Sequence, residues 1–127
     1  TGPGLKVTAS NPLAASPAPN TPAAETGEVT GNTVTYKRAV QGEDRFSNGL
    51  ASATPTADKY DFSVMNAQGA GYRVTSDYPL ARATLWSMVR TVAVEPFVRI
   101  ELEPGKSTDW TFTYTYTRPG AGRVAQN

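Results

Sequence analysis

The chain has 127 residues with 12 basic and 11 acidic side chains, a formal net charge of +1, and neither Cys nor His. That length suits one domain with a real but modest core. The missing thiols and imidazoles exclude disulfides, Ser-His-Asp or Cys-His catalysis and most zinc sites.

Taken in order, residues 1–31 differ in composition from the rest. Pro3, Pro12, Pro17, Pro19 and Pro22 punctuate a run of Ala, Ser, Thr and Asn with few large apolar side chains. Such a segment cannot bury enough surface to offset the entropy of ordering it. It reads as an extended Pro/Ala-rich arm, with Pro12, Leu13, Pro17, Pro19 and Pro22 as its contacts to a neighbouring subunit or to its own domain. The chain opens on Thr1 rather than Met, which fits removal of a secretory leader and fits a fragment boundary equally.

The folded part is expected from residue 32 to 118, with 119–127 as a tail. Thr33 to Val40 alternates, with Val34, Tyr36 and Val40 on one side, as a half-buried strand does. Gln41 to Thr56 is turn-rich, with Asn48-Gly49 as a hairpin signal and Phe46 and Leu50 as anchors. Lys59 to Met65 and Tyr72 to Thr75 form a hairpin across the Asn66–Gly71 turn. Ala83 to Val94 reads as a strand with an irregularity, against a short helix capped by Asp77; Thr91, Val92 and Val94 are β-branched. Glu95-Pro96 marks a bend or an edge.

The strongest pattern is Val98 to Thr117. Val98, Ile100 and Leu102 alternate with Arg99, Glu101 and Glu103. After Pro104-Gly105, Trp110, Phe112, Tyr114 and Tyr116 alternate with Thr111, Thr113, Thr115 and Thr117. This predicts a hairpin with an aromatic and aliphatic face. With 39% apolar and 18% charged residues, and with 11 Gly and 10 Pro, the composition favours turns and strands over a helical bundle. The predicted architecture is an all-β antiparallel sandwich, Ig-like or jelly-roll-like. Its expected core is Val34, Tyr36, Tyr60, Phe62, Val64, Tyr72, Val74, Trp86, Ile100, Leu102, Trp110, Phe112 and Tyr114.

Chemistry is sparse. Gly69-Ala70-Gly71 lacks the Lys-Ser/Thr of a phosphate loop, and no cofactor is expected. Glu101 and Glu103 would lie about 7 Å apart on one strand face, a glycosidase-compatible distance, but beside Arg99 they read as a solvated face. Gln41 to Asp44 with Asp58 and Asp61 has no calcium-loop spacing, so no metal is expected. The basic residues are scattered, giving no stripe for nucleic acid, and no apolar run approaches the roughly 20 residues of a membrane span. Trp86, Tyr72 and Tyr78, with Arg82 and Arg90 nearby, are the candidate binding residues, since aromatic faces suit sugar rings and cations.

Asp58 to Gly69 (Asp-Lys-Tyr-Asp-Phe-Ser-Val-Met-Asn-Ala-Gln-Gly), followed by Tyr72-Arg73-Val74-Thr75-Ser76, resembles the Ig-like domain of the intracellular proteinase inhibitor family. Glu101 to Ser107 resembles that family's Leu-x-Pro-Gly-Glu-Ser turn, whereas Trp86 to Glu95 departs from its pattern. Leu85-Trp86, Glu95-Pro96-Phe97 and the Pro-Gly turn before Trp110 are similar to sandwiches of the galactose-mutarotase type, whose catalytic His this chain lacks. The combined expectation is a non-enzymatic structural or assembly subunit, secreted or particle-associated, whose partners are other copies of itself or a larger assembly. A carbohydrate-binding module is the alternative and an inhibitor-like domain the third reading.

Overall fold

A computed structural model describes residues 1–17, 23–52 and 59–120. The strands are β1 (Lys6–Ala9), β2 (Leu13–Pro17), β3 (Gly27–Thr30), β4 (Thr33–Tyr36), β5 (Phe46–Ser52), β6 (Lys59–Met65), β7 (Gly71–Pro79), β8 (Arg82–Ser87), β9 (Val92–Phe97) and β10 (Phe112–Thr117), with one helical turn, α1 (Ala23–Thr26), before β3. They form two sheets, in the orders β10-β7-β6-β1-β4-β3 and β2-β5-β8-β9, and every pairing is antiparallel. The all-β antiparallel architecture is therefore as the sequence implies.

Both sheets supply one shared core. Val7, Val34, Tyr36, Tyr60, Phe62, Val64 and Val74 come from the larger sheet, and Phe46, Leu50, Ala83, Leu85 and Val94 from the smaller. Two buried hydroxyls tie the layers together. Tyr36 Oη meets Ser87 Oγ at 2.5 Å, and the Tyr60 hydroxyl donates to the Val94 carbonyl at 3.1 Å. Each satisfies a polar group that would otherwise be costly to bury.

The N-terminal segment is not an arm. β1 lies inside the larger sheet, with Val7 opposite Val34 on one side and Val64 on the other. β2 pairs along β5, and β3 pairs with β4. Residues 6–9 carry one large apolar side chain, yet a strand flanked on both sides satisfies all its backbone groups. Pairing therefore orders a segment whose average composition argues for mobility. Asn32 fastens the crossing from β1 to β2: Ala9 N donates to its carbonyl and its amide donates to Ala9 O, each at 2.8 Å. The domain thus draws on residues 6–117 rather than starting at 32. Pro12 is exposed, Leu13 packs against the core, and Pro17 closes β2. Pro19 and Pro22, like residues 121–127 of the expected tail, lie outside the described residues.

The β6–β7 hairpin is as expected. Its turn closes through Asn66 N to Ala70 O at 2.9 Å and Gly69 N to Asn66 O at 3.1 Å, with Gly69 at φ 79°. That is a three-residue hairpin loop with glycine in the left-handed position. Phe46 and Leu50 are buried anchors, but Asn48-Gly49 lies inside β5 rather than in a turn. The stretch 83–94 is strand and not helix, divided into β8 and β9 by a tight turn in which Met88 N bonds Thr91 O at 2.9 Å.

The expected Val98–Thr117 hairpin does not form. β9 ends at Phe97, where its partner β8 begins at Arg82, so residues 98–103 have no strand to pair with. Ile100 and Leu102 are exposed. The Pro104-Gly105 turn exists, with Gly105 at φ 78° and Lys106 N bonding Glu103 O at 3.1 Å, but it sits in a connection that carries the chain from one sheet to the other. The second arm pairs with β7 instead, Tyr114 opposite Val74 and Tyr116 opposite Tyr72. Trp86 and Phe112 are half-buried rather than core, and Trp110, Tyr114 and Tyr116 are 43%, 47% and 76% exposed.

Candidate functional site

The two long sides of the sandwich differ. On one, the edge strands β2 and β3 are linked, Leu13 N bonding Gly31 O at 2.9 Å. On the other, β9 and β10 bound an open cleft of about 340 Å³, walled by Tyr72, Tyr114 and Tyr116 on the larger sheet and by Val92, Val94 and Pro96 on the smaller. The larger sheet has six strands to the smaller one's four, and its edge strand β10 is left without full cover, so the exposed β10 tyrosines face a groove and not a core.

β9 is a blunted edge. The Tyr60 and Tyr72 hydroxyls donate to its Val94 and Val92 carbonyls at 3.1 and 3.4 Å, and Pro96 has no N–H to offer. Burial raises the pKa of Tyr60 and Tyr72, and pushes Tyr36 up to about 12. Each phenol is held neutral in the fold and ionises at lower pH when unfolded. The folded chain therefore holds more protons in that window, and stability falls as pH rises. For Tyr36 the window runs from about pH 10 to 12 and amounts to about 3 kcal/mol. Denaturant titrations across this range are expected to show the decline, and Tyr36→Phe is expected to make it shallower by the share of Tyr36 while Tyr60 and Tyr72 keep the remainder; a slope unchanged in the variant would remove Tyr36 as a source.

β10 is the opposite kind of edge. The narrow Asn66–Ala70 pair fixes the phase of the hairpin ladder. Because narrow and wide pairs alternate, Tyr72 and Val74 turn their backbone groups to β6, while Gly71, Arg73 and Thr75 turn theirs to β10. Their partners Thr117, Thr115 and Thr113 complete that ladder. Phe112, Tyr114 and Tyr116 then present their N–H and C=O groups outward, where no strand among the described residues pairs with them. The edge carries no charge and no proline from Phe112 to Thr117, and its alternating aromatic and Thr residues favour strand. Asp77 holds its start, accepting the Thr111 amide at 3.0 Å. The Tyr114 and Tyr116 rings lie 6.5 Å apart at 18°, with Tyr72 6.1 and 6.3 Å away.

The candidate residues read from sequence are spread over several surfaces. Trp86 and Arg82 lie on the outer face of the smaller sheet, Trp86 between Ser47 and Ala93 and Arg82 stacked 4.0 Å above the Phe97 ring. Tyr72 stands in the β9–β10 cleft, and Arg90 is in the β8–β9 turn, sharing with Tyr72 a depression that also includes Thr1 and Leu5. Tyr78 faces a separate cleft with Leu80, Arg99 and Glu101. Only Tyr72 and Arg90 are brought near one another. Glu101 pairs with Arg99 outside any strand, so the strand-face spacing expected for Glu101 and Glu103 has no strand behind it. Among the described residues no three His, Cys, Asp or Glu side chains converge, and no helix is long and apolar enough to cross a membrane.

Comparison with protein-family models, curated proteins and solved structures finds no match. The functional reading therefore rests on the β10 edge. The sequence pattern places Tyr114 in the core and so misses this edge; the one signal it holds is that each tyrosine carries a polar tip able to meet water or a partner, a signal that the buried Tyr36 and Tyr60 share.

Proposed function

We propose that this chain is a non-enzymatic assembly module, an Ig-like or jelly-roll-like sandwich that acts through protein–protein contacts at the β10 edge. One observation carries the reading. An uncharged strand of high β-propensity offers three residues' worth of backbone donors and acceptors to solvent, without the charge, proline or bulge that protects a solitary edge. Such an edge takes an added strand from a partner, whose backbone supplies affinity while the tyrosine cleft supplies side-chain contacts.

Tyr114→Pro tests it. The Tyr114 N–H faces away from β7, so proline removes an edge donor without removing a ladder bond. Sedimentation is expected to show association in the wild type and its loss in the variant, with thermal stability nearly retained. Association unchanged by the proline would count against the edge.

A second reading, a carbohydrate-binding module, is favoured by the near-parallel Tyr114 and Tyr116 rings beside Tyr72. A glycan array probed with wild type and Tyr116→Ala separates it, because the platform requires signal in the first and its loss in the second.

A further inference from the structure

We infer that the occupant of the β10 edge is β10 of a second copy, paired antiparallel about a two-fold axis through Tyr114. This rests on the assembly reading above and names its partner. Three features of the strand support self-pairing.

The first is phase. Opposed residues in an antiparallel pair share a face, so a two-fold pairing must match residues of like parity. With Tyr114 opposite Tyr114 of the other copy, Phe112 meets Tyr116 and Thr113 meets Thr115. The outward backbone groups of Phe112, Tyr114 and Tyr116 are then the ones that face each other, and each becomes a hydrogen-bonded pair. The second is side-chain matching: aromatic pairs fall on the cleft face and Thr pairs on the other, both favourable cross-strand combinations. The third is charge complementarity. Asp109 and Arg118, both exposed, stand at opposite ends of the strand. Antiparallel pairing sets Arg118 of each copy against the Asp109–Trp110 segment of the other, whereas parallel pairing would bring like charges together. The larger sheet then continues through the axis as twelve strands, twice its own six. A six-residue edge is a small contact, so the dimer belongs to the weak, concentration-dependent class.

The test is charge reversal at both ends, read by sedimentation with wild type and Tyr114→Pro alongside. Arg118→Asp alone places Asp against Asp at both contacts, and Asp109→Arg alone places Arg against Arg. Each is expected to weaken self-association roughly tenfold or more at low salt. An equimolar mixture of the two variants restores opposite charges at both ends and is expected to regain wild-type association as a heterodimer. Both substitutions are at exposed positions, and unchanged melting curves confirm that the fold is intact. If Tyr114→Pro abolishes association but the single reversals do not weaken it, or the mixture fails to restore it, the antiparallel copy is overturned while the edge reading stands. A wild type that stays monomeric at every concentration also overturns the copy. In that case an alternating Thr–Val peptide, added as a strand probe, decides the rest. Protection of the Phe112, Tyr114 and Tyr116 amides by the peptide retains the edge, and no protection removes both readings.

Discussion

A chain lacking residues 1–17 is expected not to fold. Deletion removes β1 from the middle of the larger sheet and leaves the facing sides of β4 and β6 without their partner. It also removes β2, which covers one edge of β5, and the buried Val7 and half-buried Leu13. Backbone groups stranded in a sheet interior cost roughly 1–3 kcal/mol each, and β1 is matched to its neighbours at seven positions, three with β4 and four with β6. Together with the lost core side chains, this is comparable to the whole of the roughly 5–15 kcal/mol by which a domain is stable. Far-UV circular dichroism of the deletion is expected to show an unfolded chain. A cooperative melt close to that of the full chain would mean that the segment is the appendage its composition suggests.

The second large effect is at Phe62. Its side chain is fully buried beneath the Tyr60 ring, centroids 4.9 Å apart. Phe62→Ala removes the whole ring from the place where the layers meet, and is expected to cost about 3–5 kcal/mol in denaturant titration. Tyr116→Ala, in a side chain 76% exposed, is expected to stay within about 0.5 kcal/mol. The two rings look alike in sequence, each set in a clean two-residue alternation. An equal loss at both positions would mean that the β10 row is covered by something other than solvent.

That contrast shows how far the sequence could be read. Alternation identified β6, β7 and β10 as strands and named the inward residues of the first two, because those strands lie beneath a second layer. For Phe112 to Tyr116 the same rhythm marked an amphipathic strand correctly, but whether an apolar face is roofed depends on where the other sheet ends. Val98, Ile100 and Leu102 failed for a related reason: a strand needs a partner, and β8 has run out at Arg82. β1 failed in the other direction. A four-residue strand with one Val carries almost no periodic signal, and its order comes from neighbours distant in sequence. Of the candidate binding residues, Tyr72 is the one that lines the β9–β10 cleft. Trp86 and Arg82 are turned by the pleat to the outer face of the smaller sheet, away from the cleft.

The two edges beside the cleft also explain why one sheet is open and the other is not. β9 spends its outward carbonyls on Tyr72 and Tyr60 and places Pro96 where a donor would stand, so the smaller sheet ends there. β10 has none of these devices. An edge left in that condition is an aggregation hazard unless a partner covers it, and the uniform avoidance of charge from Phe112 to Thr117 fits a strand that is covered in use.

Amide hydrogen exchange on β10 over a range of protein concentrations measures this most directly. At low concentration Thr113, Thr115 and Thr117 are expected to be protected by β7, while Phe112, Tyr114 and Tyr116 exchange freely. As the chain associates, the second set is expected to become protected and the first to change little. Association that leaves the Phe112, Tyr114 and Tyr116 amides as fast as in the monomer would contradict the account.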